Sequence, residues 1–196
     1  ENTLIIFSSD NGPVLNDGYY DDSDVKNGSH TPWGPYRGGK YSLFEAGTRV
    51  PFFTYWKGKI KPGVSDTMVS QLDLLSSLAQ LVGSEVRTED SLPLLELLMG
   101  QSNYGRKEMV IEATSRTAFK RGDWVMIPPY DGFAVNDKVK IELGNDSEFQ
   151  LYNLSNDVGQ QNNLALQNPK KLQEMLLAFE AIRGKDYRKT EKLELK

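Results

Sequence analysis

The sequence contains no cysteine. Disulfides, thiolate metal sites and a cysteine nucleophile are thereby excluded from this chain, although the absence does not fix a compartment. Histidine is almost as scarce. His30 is the only one, so a metal site built on clustered Asp and His side chains would need residues from elsewhere. No apolar run approaches the roughly 20 residues of a membrane-spanning helix. Basic residues are not in excess: 23 Lys and Arg stand against 27 Asp and Glu, a net charge of −4. Such a balance gives no footprint for general nucleic-acid binding. What is present is ordinary for a globular protein, with 196 residues, 38% hydrophobic and 26% charged. That suffices for one large domain, or for one domain with a small companion.

Within this background one stretch stands out, Leu4-Ile5-Ile6-Phe7-Ser8-Ser9-Asp10-Asn11-Gly12-Pro13. The bulky, partly β-branched run Leu4 to Phe7 predicts a strand buried on both faces. Gly12-Pro13 stops it. Asp10 and Asn11 therefore place two hard oxygen donors at the end of a strand, where open α/β sheets put their ligands. The same dipeptide also suits an Asx turn. The chain opens on Glu1-Asn2-Thr3 with no initiator Met, signal peptide or preceding helix. A central parallel strand needs neighbours on both sides and crossover connections between them. We expect the chain to be the back part of a longer protein.

Residues 14–39 are polar and rich in Gly, Asp, Asn and Pro, and they include Asp17, Asp21, Asp22, Asp24 and His30. Tyr19, Tyr20, Trp33 and Tyr36 argue for a loop lying over a site rather than for disorder. The acidic cluster lacks EF-hand spacing and reads as solvated. Gly38-Gly39-Lys40 resembles a phosphate loop only superficially. Tyr41 stands where the hydroxyl residue belongs, and no strand precedes Gly34. A lysine behind two small residues remains, able to approach an anion. Thr48 to Trp56 reads as a strand entered through Pro51. Ser70 to Gly83 reads as an amphipathic helix with Leu74, Leu75, Leu78, Leu81 and Val82 on its apolar face. Asp73 falls in its first turn, where the helix dipole favours it. A short helix is expected over Leu92 to Met99. Strands are expected over Met109–Ala113, Ser115–Arg121, Trp124–Ile127 and Phe149–Leu154. Asn168-Pro169 opens a helix with Leu172, Met175, Leu176, Phe179 and Ile182 inward, ended by Gly184. Strands followed by one helix predict a small antiparallel sheet covered on one face, and the charged tail 185–196 is expected to fray.

The order of these signals resembles the C-terminal part of a type I sulfatase, of the arylsulfatase kind, with an alkaline-phosphatase-like fold. Ser9-Asp10-Asn11-Gly12-Pro13 resembles that family's metal-binding turn, and Gly34-Pro35-Tyr36-Arg37-Gly38-Gly39-Lys40 its lysine segment. Phe44-Glu45-Ala46-Gly47-Thr48-Arg49-Val50-Pro51-Phe52 is similar to its Glu-Gly-Gly-x-Arg-Val-Pro run, with Ala46 where glycine is common. Gln71 to Leu78 resembles its Val-Asp-Leu-x-Pro-Thr-Leu helix. Arg121-Gly122-Asp123-Trp124, Leu151-Tyr152-Asn153-Leu154 and Asn163-Leu164-Ala165 resemble its C-terminal subdomain. The fold so implied is α/β. Residues 1–105 would be the back of an α/β/α sheet domain, and 106–196 an antiparallel β-sheet subdomain with a C-terminal helix.

The resemblance implies hydrolysis of sulfate esters of glycans or aryl compounds at a divalent cation, calcium rather than magnesium. Asp10 and Asn11 match two metal ligands, and Lys40 matches the lysine on the sulfate. The resemblance turns His30 and Arg37 toward the organic part of the substrate, with a structural or solvated role as the other reading of His30. Glu45 and Arg49 read as structural. The departures are as informative. The nucleophile of the family is a formylglycine made from a Cys/Ser-x-Pro/Ala-x-Arg motif, which this chain lacks. The paired N-terminal aspartates are also missing. We therefore expect inactivity of this chain alone, a weak metal site, and self-association through apolar surface left without partners. The resemblance further implies a periplasmic or secreted location. Two other readings are a phosphatase or phosphonate hydrolase of the same superfold, and a non-catalytic glycan-binding module using the Tyr19 to Tyr36 loop.

Overall fold

The structure is a computed structural model that describes residues 2–19, 21–86 and 88–187. Tyr20 of the aromatic loop and the part of the expected frayed tail from 188 onward lie outside the described residues. In chain order the elements are β1 (Ile5–Ser8), α1 (Ser23–Lys26), α2 (Glu45–Thr48), β2 (Phe52–Tyr55), α3 (Asp73–Leu81), α4 (Leu95–Leu98), β3 (Glu108–Ala113), β4 (Arg116–Arg121), β5 (Trp124–Ile127), β6 (Val135–Asn136), β7 (Ile141–Glu142), β8 (Gln150–Asn153) and α5 (Pro169–Arg183). They form two compact units interleaved in sequence. One comprises Glu1–Ser8 and Pro51–Glu108, the other Ser9–Val50 and Met109–Lys196.

In the first unit β1 pairs antiparallel with β2 in a two-stranded ribbon, Ile5 opposite Tyr55 and Ser8 opposite Phe52. This corrects the expectation of a strand buried on both faces. Ile5, Phe7, Phe53 and Tyr55 share one face and are 49% to 53% exposed. Phe7 and Phe53 stack at 4.7 Å between centroids. Burial of both faces needs a packed layer over each, and the face that carries Ile5, Phe7, Phe53 and Tyr55 is left half exposed. The strand expected over Thr48 to Trp56 starts only at Phe52, because Glu45–Thr48 closes a helical turn first.

Helix α3 also differs from its apolar-stripe reading. Its buried residues are Asp73, Ser76, Ser77 and Ala79, while Leu75 and Val82 are exposed. The polar face is inward because it satisfies main-chain groups of residues 91–94. The Ser76 Oγ donates to the Ser91 carbonyl at 3.0 Å. The Leu94 N–H donates to Ser77 Oγ at 2.9 Å and the Leu92 N–H to Asp73 Oδ1 at 2.9 Å. Asp73 lies in the first turn as expected, and it is also a buried anchor. Arg106 clamps it through Nε and Nη2 at 2.8 and 2.7 Å.

The second unit is built on the antiparallel sheet β3-β4-β5-β8. Alternation along its strands makes two apolar faces. Phe119, Met126 and Leu151 point to one, where Met175 and Phe179 of α5 cover them. Ala118, Val125, Ile127 and Tyr152 point to the other, where Leu43 and Phe44 cover them. The sheet is thus covered on both faces, not one: the second cover is the segment directly after Lys40. Asn168 takes the N-cap position of α5, with Pro169 in the first turn, and Gly184 ends it at φ 83°. Ile182 of the expected stripe is exposed. The β6–β7 hairpin had no sequence signal. It joins residues 42–47 through the Leu43 N–H, which donates to the Leu143 carbonyl at 3.0 Å.

Candidate functional site

At Asp10 the Asn11 N–H donates to Asp10 Oδ1 at 2.9 Å, a bond to the adjacent residue rather than the bond two residues on that defines an Asx turn. Asn11 Nδ2 donates to the Gly12 carbonyl at 2.9 Å, and this turns the amide oxygen the other way. Asp10 Oδ2 and Asn11 Oδ1 accept no hydrogen bond among the described residues, and Asp10 is exposed. The turn is thus locked by its own donors while two oxygen acceptors stay open.

Two main-chain bonds bring the lysine segment beside this turn. The Gly12 N–H donates to the Gly47 carbonyl at 2.8 Å, and the Lys40 N–H to the Pro13 carbonyl at 2.9 Å. The approach demands glycine: a Cβ on Gly12 would lie 1.7 Å from the Ala46 carbonyl oxygen. Beyond it, Lys40 Nζ donates to Asp17 Oδ2 at 2.6 Å, and the Tyr41 hydroxyl donates to the same carboxylate at 2.9 Å. Tyr41 holds a left-handed backbone, φ 77°, uncommon for a bulky side chain. The Lys40 hydrogen bond holds the Asp17 carboxyl below its ordinary value, and Asp17 in turn raises Lys40. Lys40 is therefore cationic, with one of its three N–H donors committed to Asp17.

Arg37 and His30 are placed differently. Arg37 donates through Nε and Nη2 to Glu142 at 2.8 and 2.6 Å, and through Nη1 to the Gln160 carbonyl at 2.7 Å. Its guanidinium lies 4.0 Å from the Phe44 ring centroid. The Glu142 bonds raise the Arg37 pKa and lower that of Glu142. This arginine fastens the lysine segment to the β6–β7 hairpin. His30 is exposed within the polar loop, its carbonyl accepting from Asn27 Nδ2. No contact joins its imidazole to Lys40 or Asp10 among the described residues.

Behind Lys40 lies a buried group that the sequence signalled only in part. Both carboxylate oxygens of Glu45 accept from Lys120 Nζ at 2.8 Å, and Oε2 also accepts from Arg49 at 3.1 Å. The Glu45 N–H donates to Gln160 Oε1 at 2.7 Å. Glu45 and Arg49 are structural, and Glu45 joins their segment to Lys120 of β4. Lys120, Gln160 and Asp17 were missed, because each meets its partner across a long stretch of sequence with no local pattern.

For a cation, donor chemistry fits and donor number does not. A carboxylate and an amide oxygen suit a hard ion, but calcium takes six to eight oxygens. Among the described residues no three His, Cys, Asp or Glu side chains converge to hold a metal.

Residues 1–84 match the family model Sulfatase. An N-acetylgalactosamine-6-O-sulfatase of Bacteroides thetaiotaomicron is 42% identical over 187 residues, 93% of this chain and 37% of that protein. Arylsulfatase A of Homo sapiens is 36% identical over 111 residues, 56% of this chain and 20% of that protein. A solved Bacteroides thetaiotaomicron structure, described under the metabolism of multiple glycosaminoglycans, superposes with a TM-score of 0.87 at 41% identity. It covers 92% of this chain and 38% of that one. The chain thus spans well under half the length of these relatives. Its motifs, its fold and these likenesses agree: the chain belongs to the sulfatase family.

Proposed function

We propose that this chain is the back part of an enzyme that hydrolyses sulfate esters of glycans, and that it supplies one side of the sulfate and cation site. The observation that carries the reading is the docking of Lys40 beside the Asp10–Asn11 turn by two main-chain bonds. These bonds tie the lysine segment to Gly12 and Pro13, and on this reading the Lys40 ammonium and the Asp10 and Asn11 oxygens serve one site. Lys40 contacts the sulfate, where an ammonium stabilises charge developing on the oxygens. Asp10 and Asn11 complete a divalent-cation site, calcium in preference to magnesium. Arg37 holds the lysine segment, and His30 faces the organic part of the substrate from the loop. A formylglycine from outside this chain supplies the nucleophilic oxygen. The name of the Bacteroides thetaiotaomicron relative points to N-acetylgalactosamine 6-sulfate as the substrate type. Alone the chain is inactive.

The same reading assigns residues 1–105 to the catalytic domain and 106–196 to a subdomain, and places the full-length enzyme in the periplasm or outside the cell. It also predicts self-association of the isolated chain through Ile5, Phe7, Phe53 and Tyr55. Assay of the full-length protein tests the chemistry. We expect hydrolysis of N-acetylgalactosamine 6-sulfate over an aryl phosphate, loss on chelation, and a fall in kcat of about 10²–10³ for Lys40→Ala. Preference for the phosphate, or an unaffected Lys40→Ala variant, would overturn it.

A further inference from the structure

One hollow uses none of the residues assigned above. Thr114, Ser115, Arg116, Tyr130, Asp131 and Ser147 line an open groove of about 390 Å³, within the size range of small-molecule sites. Its rim is the two-residue turn between β3 and β4. Thr114 lies at φ 51° and Ser115 at φ 62°, the doubly left-handed backbone of a type I′ hairpin turn. Asn-Gly is the usual filling of such a turn, and a β-branched residue there is a genuine outlier. The next hairpin, between β4 and β5, has Gly122 at its left-handed position, φ 55°. The first turn carries an unfavourable pair, and both of its residues line the groove. Backbone strain of this kind persists where surrounding structure holds it for a function.

Arg116 lies beside this rim. Its Nη2 donates to the Asp131 carbonyl at 2.5 Å, and its guanidinium is 5.9 Å from the Tyr130 ring centroid. Tyr130 is itself fixed. It is buried, and its hydroxyl donates to the Thr117 carbonyl at 2.9 Å and accepts from the Thr117 N–H at 3.0 Å. Gly132 follows Asp131 with φ 126°, a backbone conformation that favours glycine. Nε and Nη1 of Arg116 donate to nothing among the described residues. A guanidinium held at one corner and open along the rest of its fork is suited to an oxyanion.

We infer that this groove binds an anionic saccharide unit. Its sulfate or carboxylate sits on Arg116, and its hydroxyls meet Thr114, Ser115, Ser147 and the acceptor oxygens of Asp131. The oxyanion part rests on Arg116. The saccharide part rests on the glycan-sulfate reading above. The test uses the chain carrying Lys40→Ala, so that the other cationic site is silent. It is titrated with N-acetylgalactosamine 6-sulfate, glucuronate, N-acetylgalactosamine and sodium sulfate, while the Arg116 Nε–H and the Thr114 and Ser115 amides are followed by NMR. Both anionic sugars should shift these signals, with the neutral sugar and inorganic sulfate about tenfold weaker or more. Arg116→Lys keeps the charge and should still weaken binding about tenfold. Thr114→Asn with Ser115→Gly should raise Tm yet weaken binding, which separates lost contacts from lost fold. Silence toward both anionic sugars, or shifts unchanged by Arg116→Lys, overturns the site. Equal binding of inorganic sulfate overturns the saccharide part. Activity of the full-length enzyme is measured independently, so either reading can fail alone.

Discussion

Replacing Glu45 with alanine removes the buried carboxylate behind Lys40. The Lys120 ammonium, 13% exposed, would then lie inside the second unit with no counter-charge. Breaking a buried pair in this way costs about 3–5 kcal/mol. Arg49 is 47% exposed, so its arm of the network adds no more than about 1 kcal/mol. Total stabilities of domains run to about 5–15 kcal/mol, so Glu45→Ala should bring the second unit close to its unfolding threshold. Urea unfolding combined with hydrogen exchange at the β4 and β5 amides reads this unit selectively. The mechanism makes a second demand. Glu45→Leu together with Lys120→Met removes both charges at similar volume and should cost less than Glu45→Ala alone. A loss below about 1 kcal/mol for Glu45→Ala, or a double variant as costly as the sum of the singles, would refute the reasoning.

Three further outcomes are expected. Gly12→Ala drives a Cβ to 1.7 Å from the Ala46 carbonyl. It should cost about 1–3 kcal/mol or more and deprotect the Gly12 amide in hydrogen exchange; normal protection would count against the close approach. Glu142 is lowered by its bonds to Arg37, so its contribution to stability is present above its ordinary value of 4.5 and is lost as pH falls through the depressed value. The gap between wild type and Glu142→Gln in acid unfolding should therefore close below pH 4.5, and a constant gap would contradict the pairing. Asp17→Asn should let the Lys40 pKa drop back toward 10.5, read by NMR of its side-chain carbons. An unmoved titration would mean that Asp17 does not hold Lys40.

Local chemistry made much of this legible. Gly122 and the turn at Gly144 bracket strands by their backbone requirements, so β4, β5 and β8 fall within a residue or two of their expected spans. Met175 and Phe179 follow from helical spacing alone. Sidedness was less legible, because it depends on neighbours that spacing cannot name. Leu4 to Phe7 reads as core, yet the ribbon leaves Phe7 and Phe53 half exposed. The leucines of α3 suggest its buried face, yet Asp73, Ser76 and Ser77 take that place because residues 91–94 need hydrogen-bond partners. In the candidate site, Lys40 and Asp10 are proposed from their motifs. Asp17 is not, since it looks like one more member of a solvated acidic cluster until the fold brings Lys40 to it.

The register of β1 with β2 carries a consequence for how this protein can be altered. Ser8 and Phe52 stand opposite each other at the end of the ladder, so everything from Ser9 to Pro51 is topologically an excursion from the tip of a hairpin. The turn, the lysine and the cover of the β-sheet all ride on that excursion. An Asn-Gly turn in place of residues 9–51 suits a ladder that closes at Ser8 and Phe52, but the same exchange strips Leu43 and Phe44 from the sheet of the second unit. One excursion thus links the end of a ribbon to the packing of a separate core.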